Sequence, residues 1–382
     1  MNLITTQDAL QAFCSQLATQ NYITIDTEFL REKTFWPKLC LIQAASPDVE
    51  AMIDPLVESL DLQPFFELLG NEKLLKVMHG CRQDIEIFYN LTQEIPHPLF
   101  DTQIAAMVCG FGDAVGYETL VKATTGGKID KTNRFTDWSH RPLSDAQLAY
   151  ALADVTHLRG AYEFLANKLA ENKRQEWVNE EMAILRDPAI YVQSPSDGWK
   201  RLKMHDRRPA VIGTLMEVTQ WRDEQAQSRN LPRNWVLKDD ALREIALQRP
   251  RDKTALARLR AVPRGFENSR HAQALLDAVQ QGKKLTADNM PNLPEIVTNR
   301  RGIGPLVDLL RVLLKQRSEA TDVAPKLIAS IADLECIASQ DKADIAAMQG
   351  WRYEIFGAYA EKLKNGRLAL ASQDDVVTLI EL

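Results

Sequence analysis

Asp26, Glu28, Asp84 and Asp154 fall in three separate segments of a 382-residue chain, and Tyr150 stands four residues before the last of them. Hard divalent cations such as Mg²⁺ and Mn²⁺ take oxygen ligands, and two of them can clamp an in-line displacement at phosphorus. The set therefore points to phosphodiester hydrolysis assisted by a pair of divalent metals.

Asp-x-Glu by itself carries little weight, because the chain contains it three times, at Asp26-Thr27-Glu28, Asp84-Ile85-Glu86 and Asp333-Leu334-Glu335. Local pattern separates the cases. Residues i and i+2 share a face in a strand but point nearly opposite ways in a helix. Only Asp26 and Glu28 follow a β-rich run, Tyr22-Ile23-Thr24-Ile25, so they present a chelating pair, whereas Asp333 and Glu335 read as helix surface. Asp84 comes five residues after His79, early in a helix that begins where a strand ends. Ligands collect at such places in α/β sheets; an acid favouring the positive end of a helix dipole is the alternative. Tyr150 and Asp154 stack one turn apart on one helical face. Leu152, Ala153, Val155 and Leu158 bracket Asp154, and a carboxylate on so apolar a helix needs a metal or a core arginine.

The elements that must hold these residues are legible from periodicity. Thr6 to Leu17 has helical spacing of Leu10, Phe13, Cys14 and Leu17,. Strands follow at 22–27, 39–44 and 50–54, close enough in sequence to start an antiparallel sheet. A helix near 62–69, a strand at 74–78, a helix from Arg82 to Leu91, a strand at 99–102 and a helix through Met107 come next. A long helix from Ser144, its N-cap, to Leu169 closes the unit. This describes an α/β fold, a mixed sheet flanked by helices.

Beyond about Lys200 the strand signal lapses. Helical patterns at 215–226, 238–247, 253–259 and 271–282 form one array; 306–317, 325–338, 342–348 and 351–364 form another. Leu242, Ile245 and Ala246 meet Leu334, Ile337 and Ala338 at a constant offset of 92 residues, and Pro232 meets Pro325 within one residue of it. Tandem helical repeats are the reading, joined by a Pro/Gly-bearing linker at 287–302.

Charge divides the chain in the same way. Lys plus Arg minus Asp plus Glu is 16 − 28 = −12 for 1–199, 24 − 13 = +11 for 200–317 and 6 − 11 = −5 for 318–382. An acidic catalytic unit beside a basic one suits a polyanionic ligand. The five cysteines are scattered without Cys-x-x-Cys spacing, as in reduced cytosolic proteins without structural zinc. No apolar run approaches the ~20 residues of a membrane span, and the N-terminus lacks a basic start and apolar core. The expectation is a cytoplasmic protein with no membrane association.

The segments Ile25-Asp26-Thr27-Glu28, His79 to Asp84 and Tyr150 to Asp154 resemble the three exonuclease motifs of the DEDD superfamily, with Tyr150 placing the chain in its tyrosine subgroup. Phe29-Leu30-Arg31, Trp36-Pro37-Lys38-Leu39, Asp137-Trp138-Ser139 and Arg141-Pro142-Leu143 look like the ribonuclease D family within it. Trp221-Arg222, Pro232, Val236-Leu237 and Leu242 are similar to an HRDC domain; the second array lacks the Trp-Arg pair at the matching position and resembles a degenerate copy.

The resemblance implies an RNase H-like exonuclease domain at 1–199, an HRDC-like helical domain at 200–290 and a degenerate one at 291–382. It implies a 3′–5′ exoribonuclease that releases nucleoside 5′-monophosphates from RNA with a free 3′ end, transfer RNA precursors foremost, with no obligatory protein partner. Two metals, Mg²⁺ or Mn²⁺, would be held by Asp26, Glu28, Asp84 and Asp154, with Tyr150 orienting the attacking water. Phe29, His79, Gln83, Lys131 and Arg141 are the candidate substrate contacts. Phe29 reads equally as a core aromatic, and Lys128, Lys131, Arg134 and Arg141 equally as surface charges. A 3′–5′ DNA exonuclease, or a nucleic-acid-binding protein with an inactive exonuclease fold, are the competing readings.

Overall fold

The computed structural model describes residues 2–130, 132–134, 136–293 and 303–382. Its first part is a six-stranded sheet in the order β1 (Leu3–Ile4), β4 (Glu50–Ile53), β3 (Lys38–Ala45), β2 (Tyr22–Leu30), β5 (Leu75–Met78), β6 (Leu99–Asp101). β4, β3 and β2 run antiparallel, as their short connections require, while β1 on β4 and the pairs β2–β5 and β5–β6 are parallel. Helices α1 (Gln7–Leu17), α2 (Gln63–Leu69), α3 (Arg82–Thr92), α4 (Thr102–Val108), α5 (Tyr117–Thr125), α6 (Asp145–Asn172) and α7 (Gln175–Leu185) complete this part. Strand alternation splits β4 between the first core and a small satellite cluster: Ala51 and Ile53 join the core beneath α1, α2 and α3, whereas Met52 packs with Trp138, Leu143 and Ala151,.

Ser144 caps α6 by a capping box, its hydroxyl accepting from Gln147 N at 3.2 Å while Gln147 Oε1 accepts from Ser144 N at 3.0 Å,. The helix then buries Ala151, Asp154, Val155, Leu158, Ala161, Leu165 and Leu169 along one stripe. That stripe carries an ionisable residue in an apolar row, which is how the fold drives Asp154 inward.

A second core is built from α8 (Pro209–Ser228), α9 (Arg233–Val236), α10 (Asp239–Gln248), α11 (Lys253–Ala257) and α12 (Ala272–Gly282). α8 and α12 cross at Gly213 and Gly282, where a Cβ on either would collide with the other's backbone. A third core holds α13 (Ile303–Thr321), α14 (Pro325–Ile328), α15 (Ile331–Ser339), α16 (Gly350–Arg352), a π-helical turn at Tyr353–Gly357 and α17 (Ala358–Lys364). The repeat is visible in packing: Leu242, Ile245 and Ala246 are buried in the second core as Leu334, Ile337 and Ala338 are in the third.

The third unit departs from the sequence reading in three places. The pattern over 325–338 is two helices, because Ser330 caps a new one with Asp333 in the capping box. Residues 342–348 hold only a 3₁₀ turn at Ala346–Met348. A hairpin of β7 (Leu368–Gln373) and β8 (Val376–Glu381) ends the chain, turning through Asp374 and Asp375 at φ 50° and 63°, the double positive φ that a tight hairpin turn requires. Residues 294–302 of the expected linker lie outside the described residues.

Candidate active site

β2 outruns its neighbour. It pairs with β5 only from Tyr22 to Thr24, and β5 ends at Met78. Asp26, Glu28 and Phe29, still paired to β3, therefore lie where β2 has no partner on its β5 side, and there the turn after β5 and the start of α3 enter. Gly80, at φ +63°, makes that turn, a conformation that suits a residue without Cβ. Asp101 braces it, accepting from Gly80 N and Cys81 N, each at 2.9 Å, while also capping α4 through Gln103 N at 2.8 Å. α3 then starts at Arg82 and carries Asp84 in its first turn, where the Thr27 hydroxyl donates to the Asp84 carboxylate.

From the other side α6 brings Tyr150 and Asp154. Ligand oxygens of Asp26, Glu28 and Asp154 lie within 4.8 Å of one another. Asp84 is outside that trio but lines the same 480 Å³ cavity, together with Phe29, His79, Gln83, Tyr117, Arg134 and Tyr150. The strand, the helix start and the long helix thus converge on one place.

Asp26 is raised well above the usual carboxylate range, chiefly by burial and then by the charges of Asp84, Asp154 and Glu28. Glu28 is pushed up to about 9 by burial and by Asp154 and Asp84. Asp84 and Asp154 are each pushed up to about 7 by burial; Thr27 eases the first, Tyr150 and Arg134 the second. Buried carboxylates crowded together resist ionising. An all-oxygen donor set that resists ionising without a cation and lies in one pocket fits a hard divalent metal. Burial and the same carboxylates raise the Tyr150 hydroxyl, and Trp138, 6.1 Å away between ring centres, packs against its ring. Burial and these charges keep the Tyr150 hydroxyl protonated.

Phe29, His79 and Gln83 line the cavity as the sequence reading places them. Burial lowers His79, keeping its ring neutral, and its Nδ1 lies 2.9 Å from the Thr102 hydroxyl. Arg141 is a correction. Its Nε and Nη2 grip Asp54 at 2.6 and 2.7 Å, Nη1 donates to the carbonyls of Trp138 and His140, and Nη2 donates also to that of Cys40. All five N–H groups of a guanidinium are thereby used within the fold, so Arg141 is a clip between loop and sheet and not a substrate contact. Lys131 lies outside the described residues.

Two residues escaped the sequence reading. Tyr117 lines the cavity and donates to the carbonyl of Asp154 at 2.5 Å, holding the turn of α6 that carries the carboxylate. Asp101 sits under the Gly80 turn, at a strand end where an acid reads as an ordinary cap.

Residues 1–170 match the family model described as 3′-5′ exonuclease, and residues 213–279 match the HRDC domain model. Over 381 residues the chain is 48% identical to Ribonuclease D of Nitrobacter hamburgensis, covering all of both chains, and it is 47% identical to Ribonuclease D of Granulibacter bethesdensis over 99% of this chain and 96% of that one. The chain belongs to the ribonuclease D family. Its fold agrees: the crystal structure of Escherichia coli RNase D, described as an exoribonuclease involved in structured RNA processing, superposes with a TM-score of 0.84 at 28% identity, over 96% of this chain and 99% of that one. The catalytic core of RRP6 from Trypanosoma brucei shares the fold at a TM-score of 0.52 and 20% identity, over 74% of this chain and 79% of that one. The chain is an enzyme, a 3′–5′ exonuclease of the ribonuclease D family carrying an HRDC domain. Among the described residues no helix is long and apolar enough to cross a membrane.

Proposed function

We propose that this chain hydrolyses RNA one nucleotide at a time from a free 3′ end, that two divalent ions serve the site, and that transfer RNA precursors with 3′ extensions are its leading substrates. The observation that carries the reading is the trio Asp26, Glu28 and Asp154, with ligand oxygens within 4.8 Å of one another in the cavity that Asp84 and Tyr150 also line. Asp26, Glu28 and Asp154 would hold one ion, and Asp26 with Asp84 the other. Bound there, the ions supply Lewis acidity to the scissile phosphodiester and its attacking water.

The chain's own groups do the positioning. Tyr150, kept protonated by burial, orients the water. Phe29 offers a face for the terminal base, and base stacking on an aromatic ring is worth about 1–3 kcal/mol whatever the sequence. His79 and Gln83 border the terminal ribose and phosphate, and Arg134 brings positive charge to the wall near Glu28 and Asp154. The three apolar cores support a division into an exonuclease domain at 1–199 and helical domains at 200–290 and 291–382.

The test is a transfer RNA bearing a short 3′ extension, incubated with the full chain and Mg²⁺ and resolved at single-nucleotide resolution beside a matched DNA 3′ end. Stepwise shortening of the RNA with release of 5′-monophosphates is expected; internal cuts, or preference for DNA, would overturn the reading. In the same assay Tyr150→Phe should lower kcat about 100-fold, the lower end of what a positioned acid–base group contributes. An unchanged kcat would remove Tyr150 from the chemistry.

A further inference from the structure

Beyond the carboxylates, β2 ends at Leu30 and Arg31 begins a second cavity of 340 Å³, whose lining includes Arg31, Phe35, Arg201, Arg222, Arg233 and Asn234. Arg31 follows Glu28 by three residues, about 10 Å at ~3.3 Å per strand residue. One wall comes from the exonuclease strand and its loop, the other from the helical unit that carries the HRDC match. A polar chain welds the walls together. Arg31 pairs both Nη groups with Glu86 at 2.8 Å, Gln193 Nε2 donates to Glu86 at 2.5 Å, and Arg233 donates to Gln193 Oε1 at 2.8 Å. The side chain of Asn230 accepts from Phe35 N and Trp36 N, both at 3.0 Å, and the Arg233 guanidinium lies 4.4 Å over the Phe35 ring.

Among the residues lining this cleft arginine outnumbers carboxylate, with Arg31, Arg201, Arg222 and Arg233 against Asp239. Asp223, with its side chain 1% exposed, receives Arg201 at 2.5 Å, Arg222 at 3.0 Å and Arg233 at 3.0 Å. Arg31 and Arg201 keep 34% and 47% of their side chains exposed, and each spends fewer than its five N–H donors on carboxylates. Asp239, its side chain 47% exposed, also lines the cleft and accepts from Arg222 at 2.5 Å. The cleft is thus a fixed fork of arginine donors beside an aromatic ring, prebuilt by an internal carboxylate. Planar guanidinium forks of this kind match phosphate oxygens.

We propose that this cleft is a phosphate-backbone subsite, taking the single-stranded phosphodiester segment immediately upstream of the 3′-terminal nucleotide. The inference rests on the RNA-hydrolysis reading above and adds to it the path of the strand: terminus at Asp26 and Glu28, backbone out along β2, phosphates against Arg31, Arg201 and Arg233. Its position at the seam makes the first helical unit part of the substrate track rather than a tethered accessory.

Two variants of the full chain test it. Arg201→Gln removes one exposed donor; Asn234→Glu places an anion in the cleft at an exposed side chain. Turnover is measured with Mg²⁺ on an oligoribonucleotide dodecamer and on a dinucleotide too short to reach the cleft, over a range of salt, with thermal melting as the check on folding. The dodecamer should lose about tenfold in kcat/KM in each variant, with a salt slope shallower by about 0.7 for each phosphate no longer held, while dinucleotide turnover stays within about twofold. Equal losses on both substrates, or none on the dodecamer, overturn the cleft while leaving the exonuclease reading standing. If the wild-type chain cuts neither RNA, the hydrolysis reading fails and takes the cleft with it.

Discussion

Two regions at neighbouring points along one strand, one rich in carboxylates and one in arginines, compensate their charge differently. In the first cavity Asp26, Glu28, Asp84 and Asp154 crowd together, and burial and mutual repulsion push them away from ionising. In the second, three arginines converge on Asp223, a carboxylate the fold itself supplies. The difference separates a site that needs an external ion to complete its charge balance from one that stands ready-made. A cation held in the first kind can also act on a reacting phosphodiester; a grip on a passing backbone requires only the second.

Asp26 is where this contrast is most exposed to refutation. Asp26→Asn should cut hydrolysis by at least about a thousandfold, the scale of ~4 kcal/mol in the barrier, while raising the melting temperature in chelator at alkaline pH, since one of the buried acids forced to ionise there is gone. Retained metal-dependent turnover would sink the assignment, and a lower melting temperature would show that the cluster is not self-repelling.

Asp223→Ala inverts the experiment. It takes from Arg222, 1% exposed, one of its two carboxylates, leaving Asp239, and strips Arg201 and Arg233 of theirs; removing one partner of a buried pair costs up to about 3–5 kcal/mol. Denaturant unfolding should register that loss with the dinucleotide still cleaved by the surviving folded fraction. A loss below about 1 kcal/mol would mean that the arginines do not depend on Asp223.

A smaller effect is expected from pH. Unfolded carboxylates titrate near 4, whereas Asp84 and Asp154 titrate at about 7 and Glu28 at about 9 in the fold. The folded state therefore holds more protons at these groups, so their contribution to metal-free stability is fully present below about pH 4 and is lost as pH rises toward 9, by at least about 2 kcal/mol in sum. Saturating Mn²⁺ should flatten or reverse the slope. Melting curves in chelator that rise with pH over this window would contradict the site's electrostatics.

Much of the nuclease unit was legible because its signals are local. Asp26 and Glu28 follow a β-run, Tyr150 and Asp154 sit one turn apart, and Ser144 announces the helix that carries them. Arg141 misled because a loop arginine beside a catalytic helix has the same sequence signature whether it faces a phosphate or Asp54. Tyr117 and Asp101 went unseen because their partners, the carbonyl of Asp154 and the amides of Gly80 and Cys81, are 37 and about 20 residues away. The terminal hairpin was missed for another reason: its apolar residues lie beside a helical array whose period dominates the reading.

By itself the sequence determined the carboxylate set, the strand and helix that present it, the helical repeats and the family, all of which rest on residue type and short-range period. Only the tertiary structure decided that β2 outruns β5 to open the cavity, that Arg141 is spent on Asp54, and that Arg31, Arg201 and Arg233 meet across a seam. Those outcomes depend on which distant groups satisfy each buried donor and charge, and a chain's local periodicity contains no record of that pairing.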